Sequence, residues 1–145
     1  MTTRSQRIDA VRALARVSRL LEHASGELSL SHYRVLAAVA DGDERASRVA
    51  RRLALGKPAI SASVEALCRR GLLAREGVAG DQRASALRLT NAGKRALTEV
   101  ETALLARLDA VLEHTRDRRA LVTALANLGE ALDGLADERL AQAAR

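Results

Sequence analysis

Apolar residues recur at helical spacing along most of this chain, and the places where the spacing breaks mark its joints. Between residues 7 and 25, Ile8, Val11, Leu14, Ala15, Val17 and Leu21 share one stripe, with Arg12, Arg16, Arg19 and Glu22 between them. That pattern predicts an amphipathic helix, ended by Ser25-Gly26. Ser31 is the expected cap of a second helix in which Val35, Leu36 and Val39 are apolar, and Asp41-Gly42-Asp43 stops it. A third helix is expected from Ala46 to Leu55, with Val49, Ala50 and Leu53 inward and Arg48, Arg51 and Arg52 outward. Proline suits the first position of a helix, where its missing N–H would be unpaired anyway. Pro58 to Arg70 is therefore the fourth helix, with Ile60, Val64 and Leu67 buried and Gly71 supplying a left-handed C-terminal cap.

The period then changes. Leu72 to Glu76 reads as a short strand, Gly77 to Arg83 as a polar Gly/Asp loop, and Ser85 to Leu89 as a return strand with Leu87 and Leu89 inward. Helical spacing resumes at Thr90, the expected cap of a long helix reaching Glu113, with Leu97, Val100, Leu104, Leu108 and Val111 on one side. Asp117 caps the last helix, whose Leu121, Leu125, Leu128, Leu132 and Leu135 alternate spacings of four and three. That alternation is the seam of a helix–helix interface. The fold class is mainly α with a small β-hairpin.

Charge separates one part of the chain from the rest. From Asp43 to Arg95 twelve Lys/Arg face five carboxylates, a net +7, whereas the whole protein carries +6. A basic module in an otherwise balanced chain is the footprint of a polyanion binder. The apolar fraction of 48% supports a core, yet it contains no Phe or Trp and one Tyr. Ala, Leu and Val bury less area each than aromatics do, a shortfall that packing against a second copy offsets.

One cysteine excludes an internal disulfide and a multi-cysteine zinc site. His23, His32 and His114 lack metal-ligand spacing, so no metal and no cofactor is expected. No nucleophile elbow or phosphate-cradling glycine loop occurs, which argues against an enzyme. Neither a signal peptide nor a membrane-spanning run is present, and a cytoplasmic location is expected.

The third and fourth helices have the pattern of a helix-turn-helix, whose second helix lies in the major groove. With Val49, Ala50, Leu53, Ile60, Val64 and Leu67 inward, Lys57, Ala59, Ser61, Ala62, Ser63, Glu65 and Arg69 fall on or near the exposed side. Most are small, which lets a helix sit deep in the groove, and only Lys57, the serines and Arg69 offer donors. Much of the affinity is then expected from phosphates, with Arg48 on the first helix among the candidates. At the hairpin tip, Arg83 suits the minor groove and Asp81 can orient it.

The run Leu53-x3-Lys57-Pro58-Ala59-Ile60-Ser61-x2-Val64-x2-Leu67-x3-Gly71-Leu72-Leu73-x-Arg75, then Asp81-x-Arg83, then Leu89-Thr90-x2-Gly93, resembles the MarR family of winged helix-turn-helix regulators. The wing Asp-x-Arg followed by Leu-Thr-x-x-Gly is its most specific part. The resemblance implies a single domain over 1–145, with a winged helix-turn-helix lobe at 30–91 and dimerisation helices at 7–25 and 92–140. It implies a homodimer on a pseudo-palindromic double-stranded DNA operator, usually a repressor, released by a small-molecule effector. By motif position Arg83 is the wing arginine, Asp81 its partner, and Lys57 to Ser63 the start of the recognition helix. His32 and Tyr33 become candidate effector-pocket residues. Cys68 reads as a small buried hydrophobe, or as the oxidant-sensing thiol that some family members carry. The sequence departs from the family at Arg45-Ala46, where a capping Thr or Ser is usual and Asp43 is the alternative cap. The rival reading is a helical interaction protein that docks an acidic partner through its basic face without specific DNA binding.

Overall fold

The computed structural model describes residues 1–42, 45–78 and 81–143, with the side chains of residues 78, 81–84, 140 and 143 left aside. Six helices and one hairpin follow in order: α1 (Arg4–Ala24), α2 (Leu30–Ala40), α3 (Ala46–Arg52), α4 (Lys57–Arg69), β1 (Leu73–Val78), β2 (Asp81–Leu89), α5 (Asn91–Glu113) and α6 (Arg118–Ala143).

Local chemistry sets most of the boundaries. Thr3 opens α1 with a reciprocal capping box: its hydroxyl accepts from the Gln6 N–H, and the Gln6 side chain accepts from the Thr3 N–H. Ser29, not Ser31, caps α2, its Oγ accepting from the His32 N–H at 3.2 Å. Burial of Leu28 and Leu30 explains the earlier start, because Leu30 enters the core as the first helical residue. Arg45 begins α3 without a side-chain cap, and the alternative cap Asp43 lies outside the described residues. The helix is shorter than its apolar pattern suggests and stops at Arg52; Ala54 then takes a left-handed φ of 51° in the turn to α4. Lys57, rather than Pro58, opens α4, so the proline sits one place further in, still among the N–H groups that lack an intrahelical acceptor. Thr90 and Asp117 cap α5 and α6 as expected, their side chains accepting from Gly93 N–H at 3.0 Å and Ala120 N–H at 2.9 Å.

The hairpin is longer than its composition indicates. Strand pairing includes Gly77 and Val78 on one side and starts at Asp81 on the other, with the antiparallel register Leu73↔Leu89 through Gly77↔Ser85. Beyond Gly77 the register shifts, so that Val78 pairs with Asp81. A ladder needs only backbone donors and acceptors, and glycine supplies those as well as any residue.

The core lies between α2, α3, α4, the base of the hairpin and the first half of α5. Val35, Leu36, Val49, Ile60, Val64 and Leu67 are each at most 1% exposed at its centre. Leu72, Leu73, Leu87, Leu89, Leu97, Val100 and Leu104 complete it. The outer helices differ: Val11, Leu14 and Val17 on α1 and Leu125, Leu128, Leu132 and Leu135 on α6 are all exposed. Near its end α6 returns to α3, burying Ala136 and bringing Asp133 3.6 Å from Arg52 Nε.

Candidate nucleic-acid interface

Helix α4 is held from behind and open in front. Ile60, Val64 and Leu67 lock its inner stripe to α2, α3 and β1, while Lys57, Pro58, Ala59, Ser61, Ala62, Glu65 and Arg69 are exposed and Ser63 is half-buried. The open face is therefore nearly flat at its N-terminal end, with one long cation there and an exposed Glu65–Arg69 pair, 3.9 Å apart, one helical turn later. An exposed pair of this kind contributes little to stability and is free to rearrange against a charged ligand.

The cations around α4 fall into two groups. Arg48, Arg51, Lys57 and Arg75 are exposed and pair with no carboxylate among the described residues. Arg88 on β2 is engaged across the hairpin with Glu76. Arg52 is committed elsewhere too: its guanidinium donates to Asp41 at 3.0 Å and reaches Asp133 of α6. Helical periodicity places Arg51 and Arg52 on one outward face, yet the structure separates them, since the partners of Arg52 come from 11 residues before it and from α6. The side chains of Asp81 and Arg83, the expected wing pair, lie outside the described residues; their backbone forms the start of β2.

A compact joint ties α4, the wing and α5 together. Gly71 ends α4 with a φ of +70°. The Thr90 hydroxyl donates to the Gly71 carbonyl at 2.6 Å, and the Thr90 N–H donates to the Leu72 carbonyl at 3.1 Å. A Cβ built on Gly93 would stand 2.0 Å from that same Leu72 oxygen, so only glycine lets α5 approach the turn this closely. The Leu-Thr-x-x-Gly run is thus a backbone-packing device that fixes the angle of the hairpin to α4.

The two candidate pocket residues separate. Tyr33 lines a cavity of about 480 Å³ walled by leucines and valines of α1, α5 and α6, with Glu101 also among its lining residues. His32 is not among the lining residues. Burial first, and then the Glu101 and Asp41 carboxylates, raise the Tyr33 phenol above its ordinary value of 10.0. Burial and the Arg70 charge lower His32 below 6.5. Cys68 is half-buried and packs against the core. No cluster of three or more potential metal ligands occurs among the described residues, and no helix is long and apolar enough to cross a membrane.

A helix-turn-helix followed by a hairpin, with a basic surface around an open second helix, defines a winged helix-turn-helix protein. Residues 27–84 match the sequence profile of the MarR family. The match covers the winged lobe, which is similar to the MarR family of DNA-binding transcription regulators. Among solved structures, the transcriptional repressor CouR bound to a 23-mer DNA duplex is 26% identical with a TM-score of 0.72, covering 83% of this chain and 89% of that one. A MarR-family regulator from Rhodococcus sp. RHA1 is 22% identical with a TM-score of 0.71 over 94% of this chain and 96% of that one. BpsR of Bordetella bronchiseptica, whose DNA binding is regulated by 6-hydroxynicotinic acid, is 21% identical with a TM-score of 0.66, covering 82% and 94%. No curated protein matched in a sequence comparison.

Proposed function

We propose that the protein is a homodimeric repressor that binds a pseudo-palindromic operator and releases it when a small molecule binds. The observation that carries this reading is the open face of α4: small side chains that admit a groove, flanked by Arg48, Arg51 and Lys57, which pair with no carboxylate among the described residues. Ala59, Ser61, Ala62 and Ser63 would approach base edges. Lys57, Arg69 and Arg48 would meet phosphates, and Arg83, oriented by Asp81, would enter the minor groove. The exposed seams within 7–25 and 92–140 would join two copies, placing two α4 helices in successive major grooves about 34–36 Å apart.

Release would follow from linkage. An effector that favours a lobe spacing poorly matched to the operator weakens DNA binding by its differential affinity for the two arrangements. The DNA-bound repressor CouR and the acid-regulated BpsR support a reading of this type. Cys68 would be structural, because its thiol is partly enclosed by the core rather than open to oxidant.

The test is a fluorescence-anisotropy titration against the DNA upstream of the protein's own gene, with scrambled competitor and varied salt. Competitor-resistant binding of two protomers per site is expected, and Arg83→Ala should weaken it by about 1–3 kcal/mol. Binding that is equal for both DNAs and steeply salt-dependent would instead make the basic face a docking surface for an acidic partner.

A further inference from the structure

The ridge of α4 opposite its buried stripe carries one residue whose charge opposes that of DNA. Pro58, Ala62, Glu65 and Arg69 follow one another there at spacings of four, three and four, and all are exposed. Pro58 and Ala62 have no polar side-chain atoms, so hydrogen bonding along this ridge falls to Glu65 and Arg69. Glu65 is the one carboxylate on α4; its side chain is 64% exposed and lies 3.9 Å from the Arg69 guanidinium. An exposed pair at that distance holds it weakly. A carboxylate brought against DNA loses water and meets phosphate repulsion, and only a hydrogen-bond donor on the DNA offsets that cost. In the major groove the donors are the N4 amino group of cytosine and the N6 amino group of adenine. Guanine and thymine present acceptor oxygens there, which repel a carboxylate.

We propose that Glu65 is a specificity determinant of the operator: its carboxylate accepts from the N4 amino group of a cytosine in each half-site and disfavours guanine and thymine at that position. Cytosine is preferred to adenine because adenine sets its N7 acceptor beside the amino group, against the second carboxylate oxygen. The small exposed neighbours Ser61 and Ala62 let the ridge approach closely enough for a glutamate to reach a base edge. Arg69, one turn further along, offsets part of the repulsion between Glu65 and the phosphates. The assignment rests on the reading of α4 as a groove-binding helix and adds the base that it selects.

The full chain and two variants, Glu65→Gln and Glu65→Ala, are each used to select duplexes from a library with a random core. Affinities for the selected sites are then measured by fluorescence anisotropy. Because Glu65 is exposed, both variants should keep the wild-type Tm. The wild type is expected to enrich a C·G pair at a fixed place in each half-site. Replacing that pair by T·A should weaken its binding roughly 5- to 150-fold. Glu65→Gln should move the preference to adenine, whose N6 and N7 suit an amide, and Glu65→Ala should lose the preference at that pair while the rest of the motif stays. A motif unchanged in both variants, even with tighter binding to every duplex, would make Glu65 a bystander charge and overturn the assignment. A preference for guanine or thymine at the pair that responds to residue 65 would overturn it equally. Enrichment of no motif by the wild type would remove the operator reading and this inference with it, whereas an enriched motif that ignores residue 65 removes this inference alone.

Discussion

The winged lobe and the outer helices are written in the same amphipathic code but end in opposite states. In the lobe every residue of the apolar stripe of α4 is buried: Ile60, Val64 and Leu67 are 1% exposed or less. On α6, Leu125, Leu128, Leu132 and Leu135 repeat at comparable spacing and remain 38–57% exposed. The lobe closes its core because four short elements and the start of α5 surround one point. Helices α1 and α6 are long, lie at the edge, and pack against α5 and α3 through only part of their apolar stripes. An unfilled apolar stripe on a helix that is otherwise well formed signals a missing surface. The comparison therefore divides the chain by what each part needs: the lobe is self-sufficient, and the outer helices are incomplete.

The largest effect should come from the joint that makes the lobe self-sufficient. Gly93→Ala places a methyl within 2.0 Å of the Leu72 carbonyl oxygen, and backbone must move to admit it. A loss of about 3 kcal/mol or more is expected, read as a fall of roughly 10 °C in Tm. Wild-type stability in this variant would mean that α5 does not press on the turn after α4.

The next test addresses the other side of the comparison. Replacing both Leu128 and Leu132 by Glu should leave single-chain stability within about 0.5 kcal/mol per site, as surface substitutions do. The same change should convert a dimer to a monomer in light scattering, if the seam is an interface between copies. A thermal penalty of several kcal/mol per leucine, at unchanged mass, would instead place the seam in an intramolecular core.

A smaller effect is expected at the turn between α3 and α4. Ala54 holds a φ of 51°, a conformation that costs a non-glycine residue roughly 1–2 kcal/mol. Ala54→Gly removes that strain but adds about 0.5–1 kcal/mol of unfolded-state entropy. A net gain of about 0.5–1 kcal/mol in chemical denaturation is expected. A loss would show that the alanine methyl makes a contact worth more than the strain.

These same positions show how much was legible in the sequence. The apolar periods place every helix and both strands, and Thr90 and Asp117 act as the caps their residue types suggest. Boundaries fail where two chemically equal signals compete. Ser29 and Ser31 are both competent caps, and burial of Leu28 and Leu30 decides between them. The Gly/Asp run is read as loop because glycine marks turns, yet strand pairing there depends on backbone alone. For the candidate interface, the open face of α4 is visible in the period of its inward residues. The removal of Arg52 from the free cations is not, because Asp133 lies 81 residues away in the sequence and helical spacing carries no information across that distance. The cavity escapes for the same reason: Tyr33 and Glu101 come together only when α2 and α5 pack. A single tyrosine in an aliphatic chain is a hint of a special position, but nothing in the sequence names its neighbours.

The smallest effect is a pH dependence that belongs to the lobe. His32 sits near the start of α2, partly buried, and burial together with the Arg70 charge lowers its folded-state pKa below 6.5. The unfolded chain therefore binds a proton at a higher pH than the folded one. The stability this group contributes is fully present above about pH 6.5 and is lost as pH falls through the lowered folded value. His32→Gln removes the titration, so the wild-type and variant stability curves should run parallel above pH 7 and converge or cross below 6. Because Arg70 supplies part of the shift, Arg70→Gln should narrow that window without closing it, burial being the larger cause. A pH dependence that survives unchanged in His32→Gln would take the linkage away from this histidine and from the start of α2.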